Sequence, residues 1–291
     1  MANRRSFLTG TAAAGAASLG TFSSAAQEDP NWKIKNGRIR QSVVHWCFNP
    51  MSVEELAKAA AGMGLQSVEL VGPEHWPVLR RYNLTCAIAG SHGFAKGFAH
   101  LEEHEECLEK LRRSIDASAE FGCPNVITFS GFRRGISTEE GRKNMIDGLK
   151  KIVGHAEEKK VTLCLEMLNS RVAVEMKGHP DYFADSMDLA VDVCRAVGSE
   201  RMKVLFDIYH VQIMQGDVIS RIREFKDWIG HVHTAGNPGR NEIGADQEIN
   251  YPPIMQALLD AGYKGYVGQE FIPKNPDKIA ALKEGVRICD V

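Results

Sequence analysis

Eight short apolar runs, rich in β-branched and aromatic residues, alternate with amphipathic segments along most of the chain. The runs cover residues 41–48, 65–71, 84–90, 125–131, 161–168, 202–209, 229–236 and 265–271. Helical patterns lie between or after them at residues 52–64, 104–122, 139–160, 185–198, 218–225, 252–262 and about 276–289, and several end in a glycine just past the last apolar position. Strands that alternate with helices form parallel βαβ units, so eight of them predict an α/β fold, the closed (β/α)8 TIM barrel.

The main alternative to a barrel is a doubly wound open sheet. A dinucleotide-binding sheet of that kind carries a G-x-G-x-x-G motif after its first strand, and the sequence has none there. No linker or shift in composition follows residue 40. We therefore expect residues 40–291 to form a single barrel domain.

The first 26 residues differ from the rest of the chain. Arg4 and Arg5 precede Phe7-Leu8 and a weakly apolar Ala/Gly run, an order that resembles a twin-arginine export signal with cleavage after Ala26. The alternative is an Ala-rich tail without a targeting role. Residues 1–26 thus predict a signal peptide and export to the periplasm. Its removal takes away two positive charges and no acid, so the net charge of -2 becomes -4.

Composition excludes several classes of partner and scaffold. A net charge of -2 gives no basic surface for nucleic-acid phosphates. No apolar run approaches the roughly 20 residues of a membrane-spanning helix. The seven cysteines are odd in number and include no C-x-x-C, which argues against a disulfide framework or a zinc finger. A small-molecule partner remains, and the sequence leaves both a monomer and a homo-oligomer open.

Polar residues end four consecutive predicted strands, where the active site of a barrel lies. Glu166, Asp207, His233 and Glu270 end strands five, six, seven and eight, each flanked by apolar or small residues. Three carboxylates that lie close together repel one another, so some of them take up protons unless a cation binds between them and the imidazole. These donors suit Mn²⁺, Mg²⁺ or Co²⁺, and Zn²⁺ less distinctively. The alternative is four independent polar residues, each bonded to backbone or arginine.

Four further residues are candidates for substrate binding. His210 lies three positions past Asp207 and is expected to bind substrate oxygens or to support a metal ligand. Arg240 lies in the long polar loop after strand seven and could pair with a substrate carboxylate. Glu69 and His92 lie near the ends of strands two and three, where a structural role is equally open.

The order Glu, Asp, His, Glu on strands five to eight resembles the xylose isomerase-like barrel superfamily. Within it, "FDIYHVQIMQGD", "EMLNSR", "NPGR" with "EINY" downstream, and "GQEF" resemble hydroxypyruvate isomerases across roughly residues 40 to 290. The resemblance implies that Glu166 and Glu270 are metal ligands and the acid/base pair, and that Asp207 is a metal ligand. His233 stands where close members often have Gln, and it matches the ligand of the wider superfamily.

The resemblance implies a metal-dependent isomerase that interconverts α-hydroxycarbonyl compounds through a cis-enediolate. The leading pair is hydroxypyruvate and 2-hydroxy-3-oxopropanoate (tartronate semialdehyde). The alternatives are a ketose 3-epimerase, an inosose dehydratase-like lyase and a non-enzymatic sugar-binding protein. An endonuclease IV-like hydrolase needs a histidine ending strand four and an Asp-x-His after strand seven, and the sequence has neither.

Overall fold

Eight parallel strands alternate with helices in the computed structural model, which describes residues 31–291. The strands are β1 (Arg40–Val44), β2 (Ser67–Glu69), β3 (Ile88–Ala89), β4 (Asn125–Thr128), β5 (Thr162–Glu166), β6 (Met202–Asp207), β7 (Ile229–Thr234) and β8 (Tyr266–Gln269). The α-helices are α1 (Val53–Met63), α2 (Trp76–Arg81), α3 (His104–Phe121), α4 (Thr138–Lys159), α5 (Met187–Val197), α6 (Ile208–Met214), α7 (Val218–Phe225), α8 (Tyr251–Asp260) and α9 (Lys278–Ile288). The predicted signal peptide, residues 1–26, lies outside the described residues.

The sheet is a nearly closed barrel. Hydrogen-bonded neighbours follow the order β2-β1-β8-β7-β6-β5-β4-β3, and each neighbouring pair is parallel. The ring closes between β2 and β3 through a parallel bridge and one further backbone bond. The bridge consists of Thr85 N–H to Gln66 O at 3.1 Å and Val68 N–H to Thr85 O at 3.2 Å, and the further bond is Leu70 N–H to Ile88 O at 3.1 Å. The predicted (β/α)8 TIM barrel is therefore confirmed, with its loosest joint between β2 and β3.

Seven strands lie inside the predicted runs and β1 begins one residue before its run, at Arg40; all eight strands are shorter than predicted. The sixth run was expected to reach residue 209, yet β6 ends at Asp207 because that side chain caps the next helix. Asp207 Oδ1 accepts hydrogen bonds from the backbone N–H groups of Tyr209 at 2.8 Å and His210 at 3.3 Å. This is the usual role of an aspartate at a helix N-terminus. A short 3₁₀ turn, His45–Phe48, likewise replaces the end of the first run.

The core lies inside the barrel and between the barrel and its helices. One close contact in the outer layer involves Gly148 of α4, where an added Cβ would overlap the ring of Phe98 and lie 2.8 Å from His104 Cε1. All seven cysteines are buried and free. Among residues 31–291, none of the helices has the length and apolar character needed to cross a membrane.

Candidate active site

The four predicted metal ligands converge at the carboxyl ends of their strands. Glu166 and Asp207 end β5 and β6, His233 is the fifth residue of β7, and Glu270 directly follows β8. One ligand atom of each side chain lies within 4.8 Å of the others, and all four residues are buried. Since successive strands of a barrel point their last inward side chains at one opening, the barrel itself brings the four together.

Arg240 reaches the same cluster from the loop that follows β7. Its Nη2 donates to Glu270 Oε2 at 2.6 Å and lies 3.5 Å from Asp207 Oδ2. Its Nη1 donates to the backbone oxygen of Met176 at 2.7 Å. Burial alone would lower the pKa of Arg240, but Glu270 and Asp207 raise it above its usual value, so the guanidinium is charged. The predicted contact with a substrate carboxylate stays a prediction.

The carboxylates of the cluster differ in acidity. Burial raises the pKa of Glu166 well above its usual range, and neighbouring Glu270 raises it further. Burial and then Glu270 raise the pKa of Asp207 to about 7. Burial alone would also raise the pKa of Glu270, but Arg240 and His233 hold it well below its usual range. Without a metal, negative charge therefore concentrates on Glu270.

The cluster fits a divalent cation. Within residues 31–291, neither Asp207 Oδ2 nor His233 Nδ1 has a hydrogen-bond partner, although both are buried. His233 Nδ1 lies 3.0 Å from Glu270 Oε2, but not in hydrogen-bonding geometry. Burying polar atoms without partners is costly, and a cation would give both of them one. Carboxylate oxygens with one imidazole nitrogen are the donor set of Mn²⁺, Mg²⁺ or Co²⁺.

His210 lies behind the cluster, within α6. The residue is fully buried, and its Nδ1 accepts the backbone N–H of Asn169 at 3.0 Å. Its Nε2 therefore carries the proton and lies 3.6 Å from Asp207 Oδ2. Burial lowers the pKa of His210 well below its usual value, and Arg240 adds to this, so the ring is neutral. The structure thus places His210 beside the candidate metal ligand Asp207, and both of its predicted roles stay predictions.

Glu69 and His92 are engaged with other protein groups. Glu69 is fully buried, and its Oε1 accepts from His231 Nε2 at 3.0 Å and His233 Nε2 at 2.9 Å. His92 Nε2 lies 2.9 Å from Thr128 Oγ1, and burial lowers the pKa of the His92 ring to about 4. Glu69 therefore contacts the cluster of candidate metal ligands through His233. Substrate contacts of Glu69 and His92 stay predictions.

A cavity of about 300 Å³ opens over the cluster. Its lining is mainly apolar and aromatic, with Glu166, Glu270 and Arg240 as the charged groups. The other lining residues are Trp46, Leu70, Gly90, Ser91, Gly93, Phe94, Ile127, Phe129, Leu168, Met176 and His179.

Sequence reasoning missed Trp46, Met176 and His179 as lining residues. Met176 and His179 lie in the long connection between β5 and α5, residues 167–186. Long loops at this end of a barrel commonly form the substrate site, so the length of this connection was the available signal. Burial and then Arg240 lower the pKa of His179 to about 4, so its ring is neutral.

The family model for the xylose isomerase-like TIM barrel matches residues 57–290. The chain belongs to the xylose isomerase-like TIM barrel family. The resemblance seen in the strand-end residues is thereby confirmed at the level of the family.

Named relatives of this xylose isomerase-like barrel are isomerases. A human protein provisionally named hydroxypyruvate isomerase is 32% identical over 171 residues, which cover 57% of this chain and 60% of that protein. The 2-oxo-tetronate isomerase of Cupriavidus necator is 33% identical over 133 residues, 46% of this chain and 48% of that protein. The hydroxypyruvate isomerase of Escherichia coli is 28% identical over 140 residues, 48% of this chain and 52% of that protein. The chain thus spans 48–60% of the length of these relatives.

Solved structures agree with the fold of the family. The 3-keto-D-glucoside 4-epimerase from Escherichia coli superposes with a TM-score of 0.73 at 20% identity, covering 86% of this chain and 100% of that chain. A family 2 AP endonuclease from Brucella melitensis superposes with a TM-score of 0.72 at 24% identity, covering 84% of this chain and 97% of that chain. The likeness at this identity concerns the barrel alone.

Proposed function

We propose that the protein is a metal-dependent isomerase that interconverts α-hydroxycarbonyl compounds, with hydroxypyruvate and tartronate semialdehyde as the leading pair. The observation that carries the proposal is the pair of glutamates, Glu166 and Glu270, that line one cavity beside Asp207 and His233. Relatives named as hydroxypyruvate and 2-oxo-tetronate isomerases support the reaction class.

The two glutamates are suited to opposite steps of a proton transfer. Arg240 and His233 keep Glu270 ionised, whereas burial and Glu270 favour the protonated form of Glu166. Two acids whose surroundings push their pKa values apart are the usual basis of an acid/base pair. One carboxylate removes the proton from the hydroxyl-bearing carbon next to the carbonyl, giving an enediolate. A proton then returns to the former carbonyl carbon while the hydroxyl proton passes to the former carbonyl oxygen, which completes the isomerisation.

In this scheme the two glutamates also bind the cation, together with Asp207 and His233, and Arg240 faces the substrate. Glu166, Asp207, His233 and Glu270 would bind a divalent cation, which supplies positive charge to the carbonyl and hydroxyl oxygens of the substrate. Arg240 extends the positive charge toward a substrate carboxylate, and the aromatic lining excludes water from the reacting carbons.

A second candidate is a ketose 3-epimerase, in which the proton returns to the opposite face of the same carbon. The cavity of about 300 Å³ favours it, because a three-carbon acid leaves part of this volume free and a longer ketose would fill it. The aromatic side chains of Trp46, Phe94 and Phe129 also offer apolar faces for a sugar ring or chain.

Deuterium incorporation tests the proposal. Mn²⁺-loaded protein in D₂O should convert hydroxypyruvate or a ketose and place deuterium on the carbon next to the carbonyl. Glu166→Gln and Glu270→Gln should each lose about 10²- to 10⁴-fold in rate, the usual contribution of general acid–base catalysis. Glu103→Gln changes another buried glutamate, which pairs with Arg134 outside the cluster, and should leave the rate unchanged.

Four outcomes of this experiment are distinguished. Conversion of hydroxypyruvate with exchange supports the isomerase, and stereochemical inversion of a ketose with exchange supports the epimerase. Conversion without exchange would remove the glutamates from the base role. No conversion of hydroxypyruvate, ketoses or inososes by the metal-loaded protein contradicts the proposal.

A further inference from the structure

A buried contact crosses the interior of the barrel next to the four candidate metal ligands. Glu69 ends β2, whereas His231 and His233 lie on β7, which is three places away in the sheet order. Glu69 Oε1 accepts from His231 Nε2 at 3.0 Å and from His233 Nε2 at 2.9 Å. All three side chains are fully buried, so this contact is shielded from solvent.

The contact determines which nitrogen of His233 carries a proton. A neutral imidazole has one N–H and one lone pair, and the hydrogen bond made by one nitrogen sets the role of the other. Because Nε2 donates to Glu69, Nδ1 is the nitrogen that can offer its lone pair to a cation once the ring is neutral. Nδ1 is 3.0 Å from Glu270 Oε2 and 3.9 Å from Glu166 Oε1, so it faces the cluster.

We propose that Glu69 is a positioning residue for the metal centre, because it holds His233 in the tautomer and the ring orientation that direct Nδ1 at the cation. The inference rests on the divalent cation of the proposed function. Carboxylates that accept from the second nitrogen of a histidine ligand orient the ring and raise its basicity. His231, as the second donor to the same oxygen, keeps the Glu69 carboxylate in place.

A glycine on β8 supports the inference independently. Gly268 is paired with His233 in the strand register, and an added Cβ at Gly268 would overlap Glu69 Oε1 and lie 3.0 Å from His233 Cδ2. The backbone angle φ of Gly268 is not in the left-handed region, so the strand conformation alone does not call for glycine there. The space is used by the Glu69 carboxylate instead.

The test compares Glu69→Ala with Glu69→Gln. Alanine removes the acceptor, whereas the glutamine carbonyl can still accept from both histidines and only the negative charge is lost. Titration of metal-free protein with Mn²⁺ should show about 10- to 100-fold weaker binding for Glu69→Ala, the usual effect of losing such a partner, and a smaller loss for Glu69→Gln. Equal losses in the two variants would attribute the effect to charge and overturn the positioning role.

A spectroscopic measurement tests the hydrogen bond from His233 to Glu69 without metal or catalysis. In ¹⁵N-histidine-labelled wild type, assigned with His233→Gln, Nε2 of His233 should carry a hydrogen-bonded proton that exchanges slowly with water, and in Glu69→Ala this proton should exchange rapidly. A wild-type His233 whose Nε2 carries no proton overturns the proposal. Two Mn²⁺ ions per wild-type chain, one of them lost in Glu69→Ala, would mean that Glu69 is itself a metal ligand and would also overturn it.

The two proposals fail in different ways. Wild-type protein that binds no divalent cation would contradict the proposed function, while the Nε2 proton of His233 in that protein still tests the hydrogen bond to Glu69. Metal binding that is unchanged in a folded Glu69→Ala would contradict the positioning role and leave the isomerase proposal intact.

Discussion

At the scale of single residues, Asp207 divides two tasks between its two oxygens. Oδ1 caps α6 by accepting from the backbone of Tyr209 and His210, and Oδ2 faces the cluster. One candidate metal ligand therefore lies at the junction between a strand and a helix. Asparagine is an equally good helix cap, so it can keep the cap while removing the negative charge that faces the cluster.

The two tasks of Asp207 should separate in two variants. Asp207→Asn should weaken Mn²⁺ binding by at least about ten-fold because the ligand charge is lost, and keep most of the stability measured in EDTA. Asp207→Ala should lose the cap as well and cost about 1 kcal/mol more in the free energy of unfolding. Metal titration and chemical denaturation measure the two effects. Wild-type affinity in Asp207→Asn would remove this residue from the metal site.

The partly buried ring of His92 should make stability depend on pH. Its pKa falls from 6.5 to about 4 in the folded protein because burial disfavours the charged ring. Between these values the unfolded chain binds one more proton than the folded one. The free energy of unfolding should therefore decrease on acidification through this window, by up to about 1.4 kcal/mol per pH unit, and be fully retained above it.

Denaturation of metal-free protein at several pH values tests this effect of His92. His92→Gln should flatten the slope between pH 6.5 and about 4 by up to one proton. His75→Gln, which changes an exposed histidine, is the matched control and should leave the slope as in wild type. An unchanged slope in a folded His92→Gln would show that the ring gains its proton in the native state.

At the scale of elements, α4 shows how one helix meets two environments. Ser137 caps its N-terminus by accepting from the backbone N–H of Glu140 at 3.1 Å. Gly148 faces Phe98 and His104, where no Cβ fits, whereas Gly154 has nothing within 4 Å of an added Cβ. Both are helix-interior glycines, so alanine gains the same helix propensity at each and differs only in packing.

Alanine at the two glycines of α4 should therefore act in opposite directions. Gly154→Ala should stabilise the protein by about 0.5–1 kcal/mol. Gly148→Ala should destabilise it by about 1–3 kcal/mol, because the methyl group overpacks a buried contact. Thermal and chemical unfolding measure both. Equal stabilisation by the two substitutions would contradict this, because it would mean that Phe98 moves aside for the methyl group without loss of stability.

The elements could be predicted in kind more readily than in extent. Apolar periodicity located all eight strands of the barrel and the long helices. It missed α6, because the apolar residues of Ile208–Met214 continue the pattern of β6 and the cap at Asp207 looks like a buried strand residue. It also missed α2, a helix of six residues with a proline near its start, which is too short to show a period.

At the scale of the whole molecule, the barrel topology explains why the convergence of the four candidate metal ligands was predictable and the contact with Glu69 was not. Strand ends meet at one opening in any barrel, so the positions of Glu166, Asp207, His233 and Glu270 followed from order alone. The bond from Glu69 to His233 depends on strand tilt, side-chain reach and the space at Gly268. None of these can be read from hydrophobic patterning.

The predicted export signal, residues 1–26, concerns where the whole molecule is located, and it lies outside the described residues. Changing Arg4 and Arg5 to lysine should keep the charge of the segment but abolish twin-arginine export, so the protein should remain in the cytoplasm. Fractionation of cells that express the full chain measures this. Export of the double variant at the wild-type level would contradict the signal.

The joint between β2 and β3 would affect how fast a metal ion exchanges at the proposed site. A continuous ladder opens cooperatively, whereas the few backbone bonds at Gln66, Val68 and Leu70 can break locally. Glu69 lies between Val68 and Leu70, so local opening of this joint would briefly release His233. The affinity of the proposed site would then reflect the closed barrel, while the residence time of an ion would reflect the joint. Amide hydrogen exchange should be faster at Leu70 than at Leu165, in the middle of the ladder, and no difference would contradict this.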